Sequence, residues 1–579
     1  MSLSVYKAFE NKLAKTGAEI LCDCLKRREV KVVFGIPGVH NLSIFEALRR
    51  SNIRVVSATH EQAVGFMANG YSRTTGATGV FVTVPGPGFT NAFTSVAESF
   101  LDSCAVVCIM TGVRNDIDQR FQLHEIRQID LAKPIAKAVL TASGADQILE
   151  LTEEVFQVAE SGEPGPAILE IAANALWERV SPQSRAKSNE KATSQLQDGG
   201  IELTKVMDQI QRSKRIGLFV GQGATHAAEK VKSVAEWLRA PVATTLSGRG
   251  CLREDHPLSL GFSWAEEGMA SVNRIFVTCD LILALGVKFS ETGTRGYGLE
   301  LDTPLIHVDA SDRVFDRNYP ASLTFQMDAE EFLDKLLERK AHLGPRGDNE
   351  VLKAIEEQKA VQLPPSMEGE DEIRFILGGQ SYSPNRFFNT LREVLPDDAV
   401  VVTDTGYHQV LATRHLRVLA PRTLITPSDY QSMGYGIPAA IGAAIALPHK
   451  KVVALVGDGG FAMSGFEILT AVREAIDLTF VLFNDGYFGL IKEVQEHSFG
   501  ATCGVKLATP DFEKLAESFG MHYHTAVGDI GDTLAKCIKR KGPVLLEVKV
   551  TYPKRDMIFK VKRRWKRDLK QSARKLFGE

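Results

Sequence analysis

Cysteine is scarce in this chain, with eight among 579 residues. Cys22, Cys24, Cys104, Cys108, Cys251, Cys279, Cys503 and Cys537 sit mostly within apolar runs. That sparsity argues against a disulfide framework and predicts reduced, buried thiols, as expected of a cytoplasmic protein. Long, clean apolar runs are missing too, so no membrane span is expected. The opening residues MSLSVYKAFENKLAK hold no apolar core of the kind a secretory signal needs, and Glu10 and Glu19 count against a transit peptide. Nor is there an excess of either charge. With 68 basic and 71 acidic residues the net charge is -3, which carries no global signature of a nucleic-acid partner.

What is present is an ordinary soluble composition, 44% apolar and 24% charged. The length exceeds one hydrophobic core and suggests roughly three or four domains. Three regions alternate short β-branched runs with helical patterns, which predicts parallel sheets covered by helices on both faces. The first, at 1–182, carries the strand candidates VKVVFGI, IRVVSA, TGVFVTV and AVVCIM. The second, at 200–343, opens on the strand, glycine turn and helix of RIGLFVGQGATHAAEKVKSVAEWL and continues through APVATTL, DLILALGV and TPLIHVDA. The third, at 383–552, carries AVVVTDTG, KVVALVGDG, LTFVLFND and PVLLEVKV. The polar stretch from Ser181 to Gly200 reads as a linker, and that from Gly344 to Tyr382 as a long linker with some helix. A basic tail occupies 553–579. It is compatible with a solvated helix on the body, a membrane-surface or polyanion contact, or a lid. The expected fold class is α/β, in three domains, each a mostly parallel sheet flanked by helices.

The most informative segment is VVALVGDGGFAMSGFEILTAVREAIDLTFVLFNDGYFGLI. One apolar strand ends in Gly457-Asp458-Gly459-Gly460, a helical pattern follows, and a second apolar strand ends in Asn484-Asp485-Gly486. In a parallel sheet both clusters fall at the carboxyl edge, where open α/β sheets bind ligands. Asp458 offers a carboxylate oxygen, Asn484 an amide oxygen, and Gly486 a backbone carbonyl. These hard ligands are too few to enclose a cation alone, and Mg²⁺ completes its octahedron readily with phosphates. Gly459 and Gly460 let the backbone approach a diphosphate. Standing alone, Gly-Asp-Gly also makes ordinary turns. The two strand contexts favour the metal-bridged diphosphate.

This span resembles the thiamine diphosphate (ThDP) fingerprint, GDG followed some two dozen residues later by Asn. From about Ala18 to Tyr552 the chain is similar to the acetolactate synthase and benzaldehyde lyase group of ThDP enzymes. The resemblance implies a pyrimidine-binding, a middle and a diphosphate-binding domain, in that order. It implies a homodimer or homotetramer with active sites where the pyrimidine domain of one chain faces the diphosphate domain of another. It also assigns residues. Glu61, in ATHEQAVGFMANGYSR, matches the glutamate that activates the coenzyme's aminopyrimidine; an isolated Glu there would otherwise be a first-turn residue matched to the helix dipole. Met433, in SDYQSMGYGIPAA, matches the apolar wedge under the bent coenzyme, a role that suits a soft thioether. Tyr407 and His408 match the diphosphate contacts, and Pro37 falls in a loop expected at the coenzyme.

FGIPGVHNLSIFEAL resembles the first loop of benzaldehyde lyase, with His40 at its active-site histidine. RFQLHEIRQIDLAKPIAK aligns with a segment whose glutamine lies by the coenzyme. His124 replaces that glutamine without gaps, and Gln122 takes its place under a small shift. His124 could also shuttle protons near neutral pH. VPGPGFTNAF resembles a substrate-side loop, with Phe89 and Asn91 as pocket candidates. There are departures. The FDDR segment that contributes to FAD binding in biosynthetic acetolactate synthases is replaced by GVKFSETGTRGYG, with Lys288 and Ser290, so FAD is not expected. The implied function is ThDP- and Mg²⁺-dependent decarboxylation of a pyruvate-like 2-oxo acid, with ligation of the remaining fragment to a second carbonyl compound. The alternatives are a non-ligating 2-oxo acid decarboxylase and a 2-hydroxy ketone lyase. A scaffold that has kept the fold, or a polyanion binder acting through the tail, would bypass this chemistry.

Overall fold

The computed structural model describes residues 14–180, 200–262, 269–340, 349–362, 373–524 and 529–551. The linker read at Ser181–Gly200 lies, but for Gly200, outside the described residues, and so does the basic tail.

The first sheet contains β1 (Val32–Gly35), β2 (Arg54–Ser57), β3 (Gly79–Thr83), β4 (Val106–Thr111), β5 (Ala138–Ala142) and β6 (Pro166–Ile171), in the order β2-β1-β3-β4-β6-β5, parallel throughout. The second contains β7 (Ile216–Val220), β8 (Val242–Thr244), β9 (Ser259–Gly261), β10 (Leu281–Leu285), β11 (Leu305–Asp309) and β12 (Leu323–Gln326), in the order β9-β8-β7-β10-β11-β12, also parallel. The central strands are buried along their whole length, as expected where helices cover both faces.

The third sheet is mixed. Its parallel centre is β15 (Val400–Thr403), β16 (Leu424–Ile425), β17 (Val452–Gly457), β18 (Leu478–Asn484) and β20 (Val544–Thr551), with β19 (His522–His524) beside β20. A hairpin of β13 (Arg374–Leu377) and β14 (Gln380–Tyr382) pairs antiparallel onto β20. This corrects the linker reading of Gly344–Tyr382. The segment from 374 to 382 belongs to the third sheet, and Phe375, Leu377 and Tyr382 are core residues. Asn349–Gln362 is helical.

The first and third domains share one core. Helix α1 (Glu61–Thr75) crosses helix α4 (Gly436–Ala446) at very close range. A Cβ on Gly70 would stand 2.1 Å from the carbonyl oxygen of Ala439, and one on Gly442 would stand 2.0 Å from that of Met67. Only glycine permits this approach. Tyr435, fully buried, seals the crossing by donating its hydroxyl to Asn69 Oδ1 at 2.7 Å. Helix α2 (Pro87–Leu101) packs beside α1, and helix α3 (Tyr407–His415) follows β15. These helices carry most of the residues singled out above.

Candidate active site

Strands β15, β17 and β18 are parallel neighbours, so their carboxyl ends open onto one edge. A cavity of about 290 Å³ lies there, lined by Gly406, Tyr407 and His408 after β15, by Gly457, Asp458, Gly459 and Gly460 after β17, and by Asp485, Tyr487 and Phe488 after β18. Met433 closes it from the side. Its Cε lies 3.2 Å from the position a Cβ on Gly459 would take, so the thioether is laid directly over the glycine turn.

Asp458 is buried and accepts from Gly459 N–H at 2.9 Å and from Gly486 N–H at 2.7 Å. Burial, with Asp485 adding like charge, pushes its carboxyl up to about 6. Two carboxylates facing one small cavity repel each other, and a divalent cation with oxygen preference removes that repulsion. The sequence reading paired Asp458 with Asn484. The structure brings a further carboxylate, Asp485, to the cavity wall. Asn484 ends β18 and donates its side-chain amide to Glu547 Oε1 at 2.7 Å, and it is not part of the cavity wall, whereas Asp485 is. Successive strand residues point to opposite faces, so a shift of one residue exchanges the groups that face the ligand. Tyr523 donates to the other oxygen of Glu547 at 2.5 Å. Glu547 was not singled out from sequence, and nothing in its surroundings VLLEVKV marks it.

His408 is buried, and burial lowers its imidazole to about 4, so it is neutral. Its ring stacks on Phe483 with centroids 5.8 Å apart. Its Nε2 is buried without a partner in the described structure, although the ring is part of the cavity wall. An orphaned buried donor or acceptor is costly, and a ligand oxygen would satisfy it. Burial also raises the Tyr407 phenol, with the Glu493 carboxyl beside it. Asp404, fully buried, anchors the surrounding turns by accepting from the N–H groups of Thr405, Gly434 and Gly436 at 2.7, 3.0 and 3.0 Å. A neutral imidazole, a glycine floor and adjacent carboxylates fit a diphosphate bridged by a divalent metal.

Among the described residues, none of the first domain lines this cavity. The other predicted residues lie in the first domain, where two pairs stand out, Glu61 with Asn91 and His40 with His124. Glu61 is the first residue of α1, where His60 caps the helix by accepting from Gln62 N–H at 3.1 Å. Asn91 on α2 donates to Glu61 Oε2 at 3.0 Å. Pro37 is exposed in a loop pinned by Asn41, which accepts from Gly38 N–H and donates to Ile36 O. The loop presents His40, whose ring centroid lies 5.2 Å from that of His124. Burial and the nearby His124 lower the His40 imidazole. Both Nδ1 atoms are buried without a partner in the described structure. His124 holds φ +69°, and its carbonyl wraps over Gly86, where a Cβ would stand 2.7 Å away. Gln122 is elsewhere engaged, exchanging two hydrogen bonds with the Arg114 backbone at 3.2 and 2.8 Å. Of the two occupants left open, His124 is the one brought to His40. Phe89 is fully buried in the core and packs on Phe93. As a pocket-lining residue it is corrected, because its side chain points into the domain.

A second cavity of about 300 Å³ lies among the three domains, beside the glycine turn of the middle domain. The turn is spent. Gly221 N–H donates to Leu285 O, Gly223 N–H to Gly286 O and Ala224 N–H to Gly221 O. Lys288, in place of a flavin-binding residue, pairs with Glu163 at 2.6 Å. The wall also carries Asp309, Asp328 and Asp429, beside Arg422 and Arg73, the latter already paired with Asp102. This donor set does not fit the diphosphate of FAD.

The fold and the clustered residues define a thiamine diphosphate enzyme. Residues 15–131 match the model of the N-terminal TPP binding domain of thiamine pyrophosphate enzymes, 203–336 the central domain and 404–548 the C-terminal TPP binding domain. The chain belongs to the acetolactate synthase-like family of these enzymes. It is 30% identical over 550 residues to a protein of Methanocaldococcus jannaschii described as a probable acetolactate synthase large subunit, covering 92% of this chain and 91% of that one. It is 29% identical to the acetolactate synthase isozyme 1 large subunit of Escherichia coli, covering 92% and 94%. It is 30% identical to a probable 2-ketoarginine decarboxylase of Pseudomonas aeruginosa, covering 87% and 88%.

Proposed function

We propose that this ThDP-dependent enzyme decarboxylates a pyruvate-like 2-oxo acid with Mg²⁺ and ligates the remaining fragment to a second carbonyl compound. The observation that carries this is the division of the site into two incomplete halves. One holds Asp458, Asp485, His408 and Met433, and the other holds Glu61, Asn91, His40 and His124. Neither half can do the chemistry alone. Two copies of the chain facing each other complete both, which makes the enzyme an obligate homodimer or a larger even assembly. The apolar groups beside the halves support a second copy. Phe121 is 97% exposed, Val39 74%, Phe466 67% and Met463 56%. Apolar surface of this kind marks an interaction site.

Bound ThDP supplies an electron sink for the pair released as CO₂ departs. The protein's residues do the rest. Asp458 and Asp485, with a backbone carbonyl of the turn at Gly486, hold the metal, and Asn484 braces the turn through Glu547. His408 Nε2 and Tyr407 receive the diphosphate. Glu61 holds a proton at the pyrimidine ring, and Asn91 orients its carboxylate. His40 and His124 face substrate, where an imidazole pair can accept or return a proton.

The test is calorimetry with ThDP and Mg²⁺, followed by a screen of 2-oxo acids with and without an acceptor aldehyde. CO₂ and ligated product are measured together. Absence of coenzyme binding overturns the proposal. CO₂ without ligated product moves the reading to a decarboxylase, which the similarity to a 2-ketoarginine decarboxylase favours. Cleavage of a 2-hydroxy ketone without CO₂ moves it to a lyase.

A further inference from the structure

Met433 stands in a segment with no regular structure of its own. Gln431 before it and Gly434 after it hold left-handed backbone, φ +61° and +80°. For Gln431 that conformation is strained and persists only if the surroundings impose it. Thr405, which donates to Ser432 O at 3.0 Å, and Asp404 hold the segment from its own domain, and the first domain holds it from the other side. Ser432 N–H donates to Glu98 Oε2 at 3.0 Å. Ser428 donates its N–H to Asp102 Oδ2 at 3.0 Å and its hydroxyl to Oδ1 at 2.7 Å, and Asp429 N–H donates to the same Oδ1 at 2.9 Å. Arg73 Nη1 bridges Asp102 Oδ2 at 2.9 Å and the carbonyl of Thr426 at 2.7 Å.

Glu98 lies on helix α2 and Asp102 is its C-cap, four residues on, so both side chains stand on one face. Both are buried. Burial, with Asp102 adding like charge, lifts the Glu98 carboxyl well above the usual carboxylate range, so it is held neutral beside Asp102. Arg73 and Asp102 then cancel, and the set carries no net charge, which removes the main cost of burying it. Neither carboxyl reaches the coenzyme cavity.

We propose that Glu98 and Asp102 are positioning residues of the coenzyme site, a two-carboxylate clamp on the pyrimidine-binding domain that fixes the 426–432 segment of the diphosphate domain and thereby the seat of Met433. The inference deepens the function proposed above and rests on it. It also gives α2 two duties. Its N-terminal half holds Glu61 through Asn91, and its C-terminal end holds the Met433 segment through Glu98 and Asp102.

The test uses full-length Glu98→Leu, which removes the acceptor at similar volume and leaves the Arg73–Asp102 pair intact. The expected result is a rise of about tenfold in the ThDP Kd measured by calorimetry with Mg²⁺. kcat falls by about the same factor or more, because a displaced wedge misorients the reacting groups. KM for the 2-oxo acid and the melting temperature of the coenzyme-free protein stay near wild type. Glu98→Gln, which keeps the acceptor, restores Kd and kcat. Should Glu98→Leu fail to fold, Glu98→Asp, whose acceptor is drawn back by one methylene, is read in the same way. Wild-type Kd and kcat in the variant, or a loss confined to melting temperature, would overturn the clamp. Wild-type protein that binds no ThDP removes the functional reading itself, and the clamp's purpose with it.

Discussion

Asn484 donates its side-chain amide to Glu547 at 2.7 Å while its neighbour Asp485 lines the cavity that Asp458 floors. The two adjacent residues therefore divide the work. One braces the turn and the other faces the cavity. Asp485→Ala is expected to raise the Mg²⁺ concentration needed for half-maximal ThDP binding by about 100-fold or more, and Asn484→Ala by roughly tenfold, as lost supporting contacts do. Calorimetric ThDP titrations across a Mg²⁺ series measure both. The reverse ranking would restore Asn484 as the metal's ligand.

Glu61 and Asn91 make a second matched pair, 3.0 Å apart. Glu61→Gln is expected to abolish turnover while ThDP and Mg²⁺ still bind, because the diphosphate half of the site is untouched. Asn91→Leu leaves the carboxylate but not its orientation, and kcat should fall by about tenfold. Single-turnover CO₂ release, run beside calorimetry, separates chemistry from binding. Full activity in Glu61→Gln removes its assignment.

The central strands and their order of domains were legible because parallel strands buried on both faces are continuous apolar runs. VVALVG and LTFVLFN could hardly be anything else. The edge was not. β13 and β14 are short, half polar and antiparallel, so RFILGGQSY does not stand out from the polar sequence that precedes it. At the strand ends, the residues that line the cavity lie at or beside positions read from sequence. The glycine turn fixed Asp458, but a period-two pattern that stops at a turn does not say whether Asn484 or Asp485 faces the ligand. Phe89 and Glu98 mark a second limit. Both lie on α2, in PGPGFTNAFTSVAESF, and sequence does not reveal which turn of a helix meets another domain.

In the middle domain's glycine turn the N–H groups of Gly221, Gly223 and Ala224 are already engaged, and Lys288 is paired with Glu163. Flavin should therefore not bind. Fluorescence titration with FAD is expected to show no quenching at concentrations that saturate ordinary flavoenzymes, and added FAD should leave turnover unchanged. Stoichiometric flavin in purified protein would contradict this.

The His40–His124 pair sets an expectation for pH. Burial, with His124 next in effect, holds the His40 imidazole below its usual value. The neutral form is then the one present near pH 7, and rate is lost as pH falls through the lowered value. His124→Gln removes the like-charge neighbour, so the His40 value should rise and the acid limb of kcat/KM should move to higher pH. An unshifted or oppositely shifted limb shows that His40 does not control it.

His307 gives a stability test independent of the active site. It is fully buried in the middle domain, its Nε2 lies 2.8 Å from the carbonyl of Val287, and Phe289 and Phe315 pack on its ring. Burial lowers it to about 4. The unfolded chain takes up this proton near pH 6.5 and the native state does not until about pH 4, so in that window the unfolded state binds more protons and stability falls as pH falls. The full effect is on the order of 3 kcal/mol, complete only below about pH 4. His307→Asn carries a constant packing penalty but no proton. The stability difference between wild type and variant, measured by denaturant melts from pH 7 to pH 4, should therefore shrink steadily on acidification. A difference independent of pH would mean that the imidazole titrates alike in both states and that its burial exerts no such pressure.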